Sequence, residues 1–198
     1  MFRKLVLVAV GIAALVFVPS AQAVVLIYST PMDGASESPP NASPGTGFAR
    51  VDYDNVAHTM RVQANFSDLL GTTTAAHIHA PTAAPFTSTA GVATQLPSFT
   101  GFPLGVTSGS MDETFDLTAS SSWNPAYVSA NGGTPATAEA AFATHLSTGR
   151  AYFNIHTTVE GGGEIRGFFV LVPEPMTASL TAAGMVAMLL GTARRRSR

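Results

Sequence analysis

Three histidines and one glutamate are the side chains of this 198-residue chain whose types and spacing suit metal chemistry. His77 and His79 stand two residues apart, so both imidazoles would project from one face of a β-strand. His156 and Glu164 lie far along the chain, on either side of a glycine-rich segment. Three imidazole nitrogens suit zinc or copper, with a carboxylate as the fourth ligand or as the partner of a ligand. The sequence therefore predicts a candidate metal site at these four residues.

The same polar residues have a second interpretation as a structural network, which the sequence favours over the metal site. His156 would donate to a loop carbonyl, and Glu164 and Arg166 would pair with charged neighbours across the strands. Such a network would fix long loops without performing any chemistry. Both interpretations stay open on the sequence alone.

No catalytic residues are predicted. The chain contains no G-x-S-x-G, no H-E-x-x-H, and no glycine loop that opens a helix to hold a phosphate. Neighbouring carboxylates such as Asp112 and Glu113 would point to opposite faces of a strand, so they cannot pair as they do in glycosidases. We therefore expect a structural or binding protein rather than an enzyme.

Two aromatic residues offer a different kind of binding site. Trp123 and Tyr127 lie in segments that the sequence predicts to be loops, where aromatic rings can stack on sugars. The same rings would serve equally well to cover a hydrophobic core. A carbohydrate-binding module is therefore an alternative function for this chain.

A predicted β-hairpin over residues 149–171 positions His156 and Glu164. Apolar and polar residues alternate on both arms, and Gly161 to Gly163 permit the positive φ values of a turn. His77 and His79 belong to a separate strand, and we expect the polar face of the hairpin to meet it.

The remaining patterns predict the fold class. About seven or eight short alternating runs are separated by turns rich in glycine and proline, and one alanine-rich helix follows Thr134 and Pro135. Helices do not alternate with strands, which argues against an α/β fold. We expect an all-β, antiparallel sandwich of Greek-key type with one short helix.

The N-terminus has the pattern of a secretory signal peptide. Arg3 and Lys4 precede an apolar run, and Ala21-Gln22-Ala23 forms a small-x-small cleavage site. The run holds about 14 residues, fewer than the roughly 20 that a membrane span needs. We expect residues 1–23 to direct export through the Sec translocon and to be removed by signal peptidase.

The C-terminus combines three parts in order: Pro173, Glu174 and Pro175, an apolar run over 176–193, and four arginines. Eighteen helical residues would span about 27 Å, enough to cross a hydrocarbon core with the arginines on the cytoplasmic side. This order resembles the PEP-CTERM sorting signal of Gram-negative bacteria. The resemblance implies a transmembrane helix that anchors the chain transiently in the inner membrane and an exosortase that processes it at the Pro-Glu-Pro triplet.

The body between the two signals, residues 24–172, is acidic. Four arginines and eleven carboxylates give it a net charge of −7, and it contains no lysine. Such a surface has no electrostatic attraction for nucleic acid or anionic lipid. The chain has no cysteine, so disulfides and thiolate metal sites are excluded and the core alone must hold the domain.

Three pieces of the body share a pattern with a known family: residues 34–47 fit G-x-x-E-x-P-P-x-x-S-x-x-x-G, residues 76–79 read A-H-I-H, and residues 152–167 contain Y-x-N-x-H-T and G-E-I-R-G. Together they resemble the CHRD domain, a module of chordin and of many bacterial exported proteins. Ala80 stands where the family usually has glycine. The resemblance implies an all-β extracellular module and carries over no catalytic residues.

These observations predict an exported, exosortase-sorted protein of the cell surface or extracellular matrix with a structural or adhesive role, with exopolysaccharide as a potential partner. The first alternative is a secreted zinc- or copper-binding protein, or a metalloenzyme, that uses the histidine cluster. The second is the carbohydrate-binding module.

Overall fold

A computed structural model describes residues 25–173. The predicted signal peptide, the membrane helix over 176–193 and the arginine tail therefore lie outside the described residues. Between residues 25 and 173, no helix is both long and apolar enough to cross a membrane.

The described residues form eight β-strands: β1 (Val25–Asp33), β2 (Thr46–Asp54), β3 (Thr59–Ser67), β4 (Thr73–His79), β5 (Gly109–Asp116), β6 (Tyr152–Thr157), β7 (Ile165–Phe168) and β8 (Val170–Leu171). They make one antiparallel sheet in the order β4-β6-β7-β1-β2-β3-β5, with β8 paired to β1 beside β7. The predicted hairpin of residues 149–171 is present as the β6–β7 pair. The prediction of a mostly antiparallel β fold is confirmed.

The sheet curls into a half-barrel, whereas the sequence predicted two packed sheets. The strand β1 joins two halves of the sheet, one made of β4, β6, β7 and β8 and the other of β2, β3 and β5. It pairs with β2 along its whole length and with β7 and β8 on its other side. Alternation of apolar and polar residues reports which face of a strand is buried. It carries no information on where a sheet is interrupted, so a sandwich and a curled sheet give the same pattern.

The inner face of the sheet is the hydrophobic core. Tyr28, Val51 and Val62 lie opposite one another on β1, β2 and β3, and all three are buried. Ile78 and Phe153 take the equivalent positions on β4 and β6. Because one face is apolar along every long strand, burial fixes the register of the whole sheet.

Two α-helices lie between β5 and β6: α1 (Pro125–Ala130) and α2 (Pro135–Ser147). The predicted helix is α2; the Thr134 side chain accepts from the backbone N–H of Thr137, and Pro135 occupies the first turn. Its residues Phe142 and Leu146 are fully buried. The sequence did not predict α1, which has only six residues and too little length for a recognisable period.

Candidate metal centre

The strands β4 and β6 bring the three predicted histidines together. In the antiparallel register Ala75 lies opposite His156, His77 opposite Asn154, and His79 opposite Tyr152. Residues opposite each other in a sheet project from the same face, and so do residues two apart. All three imidazoles therefore leave the outer face of the sheet at the same place, although His156 is 77 residues from His79 in the chain.

The three rings are close enough to share one ion. One ring nitrogen from each of His77, His79 and His156 lies within 4.8 Å of the others, and Nε2 of His79 is 3.3 Å from Nε2 of His156. His77 and His79 are only 6% and 8% exposed, while His156 is half-buried. Solvent therefore reaches the cluster on the His156 side.

Each imidazole has one nitrogen bonded to a backbone carbonyl. Nε2 of His77 lies 2.5 Å from the Pro97 oxygen, and Nδ1 of His79 lies 2.9 Å from the Ala90 oxygen. Nδ1 of His156 lies 3.0 Å from the Gly161 oxygen. A carbonyl oxygen only accepts, so each of these nitrogens carries the proton and donates. The tautomer of each ring is thereby assigned from its partner.

The other nitrogen of each neutral ring is a lone pair. Burial lowers the pKa of all three histidines, and that of His79 falls to about 4, so the rings are neutral at neutral pH. Two lone pairs, on Nε2 of His79 and of His156, then face each other, while Nδ1 of His77 is buried without a hydrogen-bond partner. The two facing acceptors repel each other, whereas a cation bound between them would satisfy both lone pairs.

Tyr152 and Arg166 support the cluster from one side. The Tyr152 ring stacks on the His79 ring at a centroid distance of 4.9 Å and an interplanar angle of 8°. The Arg166 guanidinium lies 4.8 Å from the centre of the Tyr152 ring. The position of the His79 ring is thus fixed by stacking as well as by its hydrogen bond to Ala90.

Glu164 is not part of the histidine cluster. Its carboxylate is fully buried and accepts four hydrogen bonds, from the Ser43 hydroxyl (2.6 Å), the Thr157 hydroxyl (2.6 Å) and the backbone N–H groups of Leu70 (2.5 Å) and Gly71 (3.1 Å). Burial raises the pKa of this carboxyl, but these hydrogen bonds outweigh it and hold the pKa below its usual value. With its oxygens occupied, Glu164 is a structural anion, so its prediction as a metal ligand is corrected.

Arg166 belongs to the same kind of network. Its guanidinium is buried, donates to the carbonyl oxygens of Ser36 and Ser88, and lies 3.7 Å from the Glu37 carboxylate. These contacts tie the β1–β2 connection and the segment after β4 to the outer face of β7. Glu164 and Arg166 are thus structural, while the histidines form a separate cluster beside them.

Sequence reasoning missed Glu37 and Asn154, which lie next to Arg166. Oε1 of Glu37 and Oδ1 of Asn154 are buried without hydrogen-bond partners, and burial raises the pKa of Glu37 to about 7 despite the nearby Arg166. Both residues occupy fixed positions of the family patterns over residues 34–47 and 152–167. Their place in those patterns was the only signal in the sequence that could have singled them out.

The two aromatic residues predicted for sugar stacking are in the core. Trp123 is 2% and Tyr127 5% exposed, and their rings stack on each other at 5.9 Å. The indole N–H of Trp123 donates to the Leu117 oxygen, and Tyr127 is a residue of α1 rather than of a loop. Neither ring has a free face, so the placement of a sugar site on them is corrected.

The predicted processing triplet is only partly described. Val172 donates from its backbone N–H to the Ile27 oxygen, and Pro173 is the last described residue. Glu174 and Pro175 lie outside the described residues.

Comparison with known proteins gives one match. A family model described as the CHRD domain matches residues 28–169, which include all three histidines, Glu164 and Arg166. No curated protein and no solved structure shows significant similarity to the chain.

Proposed function

The chain belongs to the CHRD domain family, and we propose that this member binds one zinc or copper ion through His77, His79 and His156. One observation carries the proposal. Each imidazole is oriented by a hydrogen bond to a backbone carbonyl, one ring nitrogen of each lies within 4.8 Å of the others, and the free Nε2 atoms of His79 and His156 face each other. Metal-binding histidines characteristically donate their second ring N–H in this way, because the bond fixes both the tautomer and the direction of the lone pair.

A purely structural network explains the carbonyl bonds but not the pair of facing Nε2 atoms. A proton shared between His79 and His156 would require a buried imidazolium, which the low pKa of His79 opposes. A metal ion between them would satisfy both lone pairs, and a ring nitrogen of His77 lies within 4.8 Å of theirs as a third ligand. Three protein nitrogens leave at least one coordination position for water or an outside ligand on the His156 side.

The test uses the full-length protein, purified in mild detergent and stripped with a chelator. We expect one zinc or copper ion per chain by elemental analysis after reloading. At 100 times the dissociation constant, the ion would stabilise the fold by about 2.7 kcal/mol. That corresponds to a rise in melting temperature of about 5–10 °C.

His156→Ala should abolish both signals, because it removes one ligand at the half-buried edge of the cluster. The matched control is His58→Gln, a histidine in the β2–β3 turn bonded to Glu139 outside the cluster. Absence of stoichiometric metal in the parent protein, together with an unchanged melting temperature, would refute the proposal.

We further propose that the protein acts outside the cytoplasm, at the cell surface or in an extracellular matrix, with a structural or adhesive role. This second candidate is supported by the two terminal sorting patterns and by the acidic, lysine-free body. The proposal assigns binding and not catalysis to the histidine cluster. Export would involve the Sec translocon, signal peptidase and an exosortase, and it would precede metal loading.

A further inference from the structure

We propose that the exposed outer face of β2, β3 and β5 binds a neutral polysaccharide. The face carries a groove of about 470 Å³ that contains the exposed ring of Phe48 and side chains of β3 and β5. It is on the same side of the sheet as the histidine cluster but on strands at the other end of the sheet. The proposal does not depend on metal binding.

Strand register arranges the groove as two rows across the sheet. Phe48, Asn65 and Ser110 form one row, and Arg50, Gln63 and Asp112 form the next. Neighbouring strands are about 4.8 Å apart, and rows two residues apart are separated by about 7 Å. The six side chains therefore form an array that extends about 10 Å across the strands, which suits an extended chain lying across them.

The polar groups of the array have hydrogen-bonding capacity to spare. Within residues 25–173, no hydrogen bond uses the Asn65 amide or the Ser110 hydroxyl, and Gln63 donates once, to Asp112. Arg50 donates to Asp52 through Nε and Nη2, so its Nη1 is free. A side-chain amide presents a donor and an acceptor in one plane, and a guanidinium presents several donors in one plane, so both groups pair well with the adjacent hydroxyls of a sugar.

Charge on this face favours an uncharged ligand. At the groove, Arg50 is paired with Asp52 at 2.6 Å and Arg61 with Asp112 at 2.5 Å, so these four charges cancel. Asp54 and Asp116, at the far end of the same face, add only negative charge. The surrounding body carries a net charge of −7, which repels nucleic acids and acidic polymers. A neutral, hydroxyl-rich polymer meets no such repulsion and can use the free donors and acceptors.

Phe48 supplies the apolar contact. Its side chain is 42% exposed, although it stands on a regular strand beside Asn65 and Pro31. The apolar face of a sugar ring can cover such an aromatic ring while its hydroxyls reach the neighbouring row. Aromatic anchors of this kind commonly contribute most of the affinity of a binding surface.

Affinity gel electrophoresis of the full-length protein tests the proposal, with dextran, xyloglucan and mixed-linkage β-glucan as neutral probes and alginate as the acidic probe. We expect retardation by at least one neutral polysaccharide and none by alginate. Phe48→Ala and Asn65→Ala should each weaken the interaction about tenfold. Both side chains are exposed, so melting temperatures should stay near that of the parent.

Phe86→Ala is the matched control, since Phe86 is an aromatic residue that is more exposed than Phe48 (57% against 42%) and lies outside the groove. It should bind like the parent. The proposal is overturned if no neutral polysaccharide retards the protein, if alginate alone does, or if Phe48→Ala leaves retardation unchanged. Dimerisation that Phe48→Ala abolishes would also overturn it, because the face would then be an interface between two copies. His156→Ala should bind polysaccharide normally, which separates this proposal from the metal site.

Discussion

The three imidazoles of the cluster are held neutral by burial, and this makes the stability of the metal-free fold depend on pH. The pKa of His79 lies near 4 in the folded chain and near 6.5 when unfolded. The unfolded chain therefore binds more protons between these values, so stability is full above pH 6.5 and falls as the pH drops towards 4. The pKa difference between the folded and the unfolded chain corresponds to roughly 3 kcal/mol in the free energy of unfolding for this one residue.

The first prediction follows from this loss of stability at low pH. His79→Gln should remove the part of this loss that His79 contributes between pH 6.5 and 4, as measured by urea unfolding of the metal-free protein at several pH values. His77 and His156, whose pKa values burial also lowers, keep their own contributions. Glu37 contributes with the opposite sign, because its raised pKa of about 7 makes stability fall as the pH rises from 4.5 to 7. The difference between parent and variant isolates His79, and identical profiles would contradict the assignment.

Glu164 shows that a buried carboxylate can be structural even when it lies eight residues from a proposed metal ligand, His156. Its four donors come from the β1–β2 connection, the β3–β4 connection and the end of β6. One side chain thus holds two connecting segments to the end of a strand. Hydrogen bonds to a buried charge are among the strongest that a fold can make.

The second prediction concerns this carboxylate. Glu164→Gln places an amide with two donors among four donors, so we expect it to destabilise the fold by about 3 kcal/mol in urea unfolding. Glu160→Gln, in the same β6–β7 connection but less buried, should change stability by less than about 0.5 kcal/mol. If Glu164→Gln kept full stability but lost metal, Glu164 would be a ligand after all.

At the scale of elements, the segment from β5 to β6 closes the core. Trp123 packs edge-on against Phe142 of α2 at 5.5 Å and face-on against Tyr127 of α1. Through Trp123, these contacts hold the two helices together within the hydrophobic core. Two of the aromatic residues that looked suited to ligand binding, Trp123 and Tyr127, are therefore part of the packing of the helices.

The third prediction tests that role. Trp123→Ala should destabilise the fold by about 3–5 kcal/mol, because it empties a fully enclosed site. Trp123→Phe retains most of the packing and loses the hydrogen bond to the Leu117 oxygen, so it should cost less. Polysaccharide retardation should be unchanged in Trp123→Phe; its loss in this folded variant would return the sugar site to Trp123.

Local patterns in the sequence were sufficient for some elements and not for others. The β6–β7 hairpin, α2 and the shared face of His77 and His79 follow from periods of 2 and 3.6, which are properties of neighbouring residues. That β1 joins both halves of the sheet depends on pairing between residues more than 130 positions apart, such as Asp33 and Arg166. Alternation carries no information on such partners.

The sequence likewise predicted some residues of the candidate site and not others. Histidine is a good ligand in any context, so residue type was enough to select the cluster. The fate of Glu164 depended on donors from Ser43, Leu70 and Gly71, and two of these are backbone groups that no side-chain pattern reveals. The burial of Trp123 likewise depends on its packing against α1, a helix too short to predict.

At the scale of the whole molecule, the curled sheet separates packing from binding. Its inner face is the core along every long strand, while its outer face carries the histidine cluster at one end and the neutral groove at the other. The loops that supply the Pro97 and Ala90 carbonyls cover the first region and leave the second open. A protein of this design could bind a polymer and a metal ion at the same time.

The chain leaves this domain at a place that suits display on a surface. Val172 is still hydrogen-bonded to β1, and the predicted processing triplet begins at the next residue, Pro173. A membrane helix over residues 176–193 would therefore hold the domain close to the lipid, with almost no linker. Cleavage at the triplet would release the domain without removing any strand of the sheet, because β8 ends at Leu171.

The fourth prediction follows from this arrangement. A chain that ends at Pro175 keeps every described strand, so it should fold and bind metal like the parent, yet it should appear in the periplasm or medium. Replacement of the four terminal arginines by glutamine is the matched control: it keeps the apolar run and weakens only the signal that orients it. Cell fractionation with immunoblotting measures both. Continued membrane retention of the truncated chain would refute the anchor, because no other stretch after residue 24 is long and apolar enough to span a bilayer.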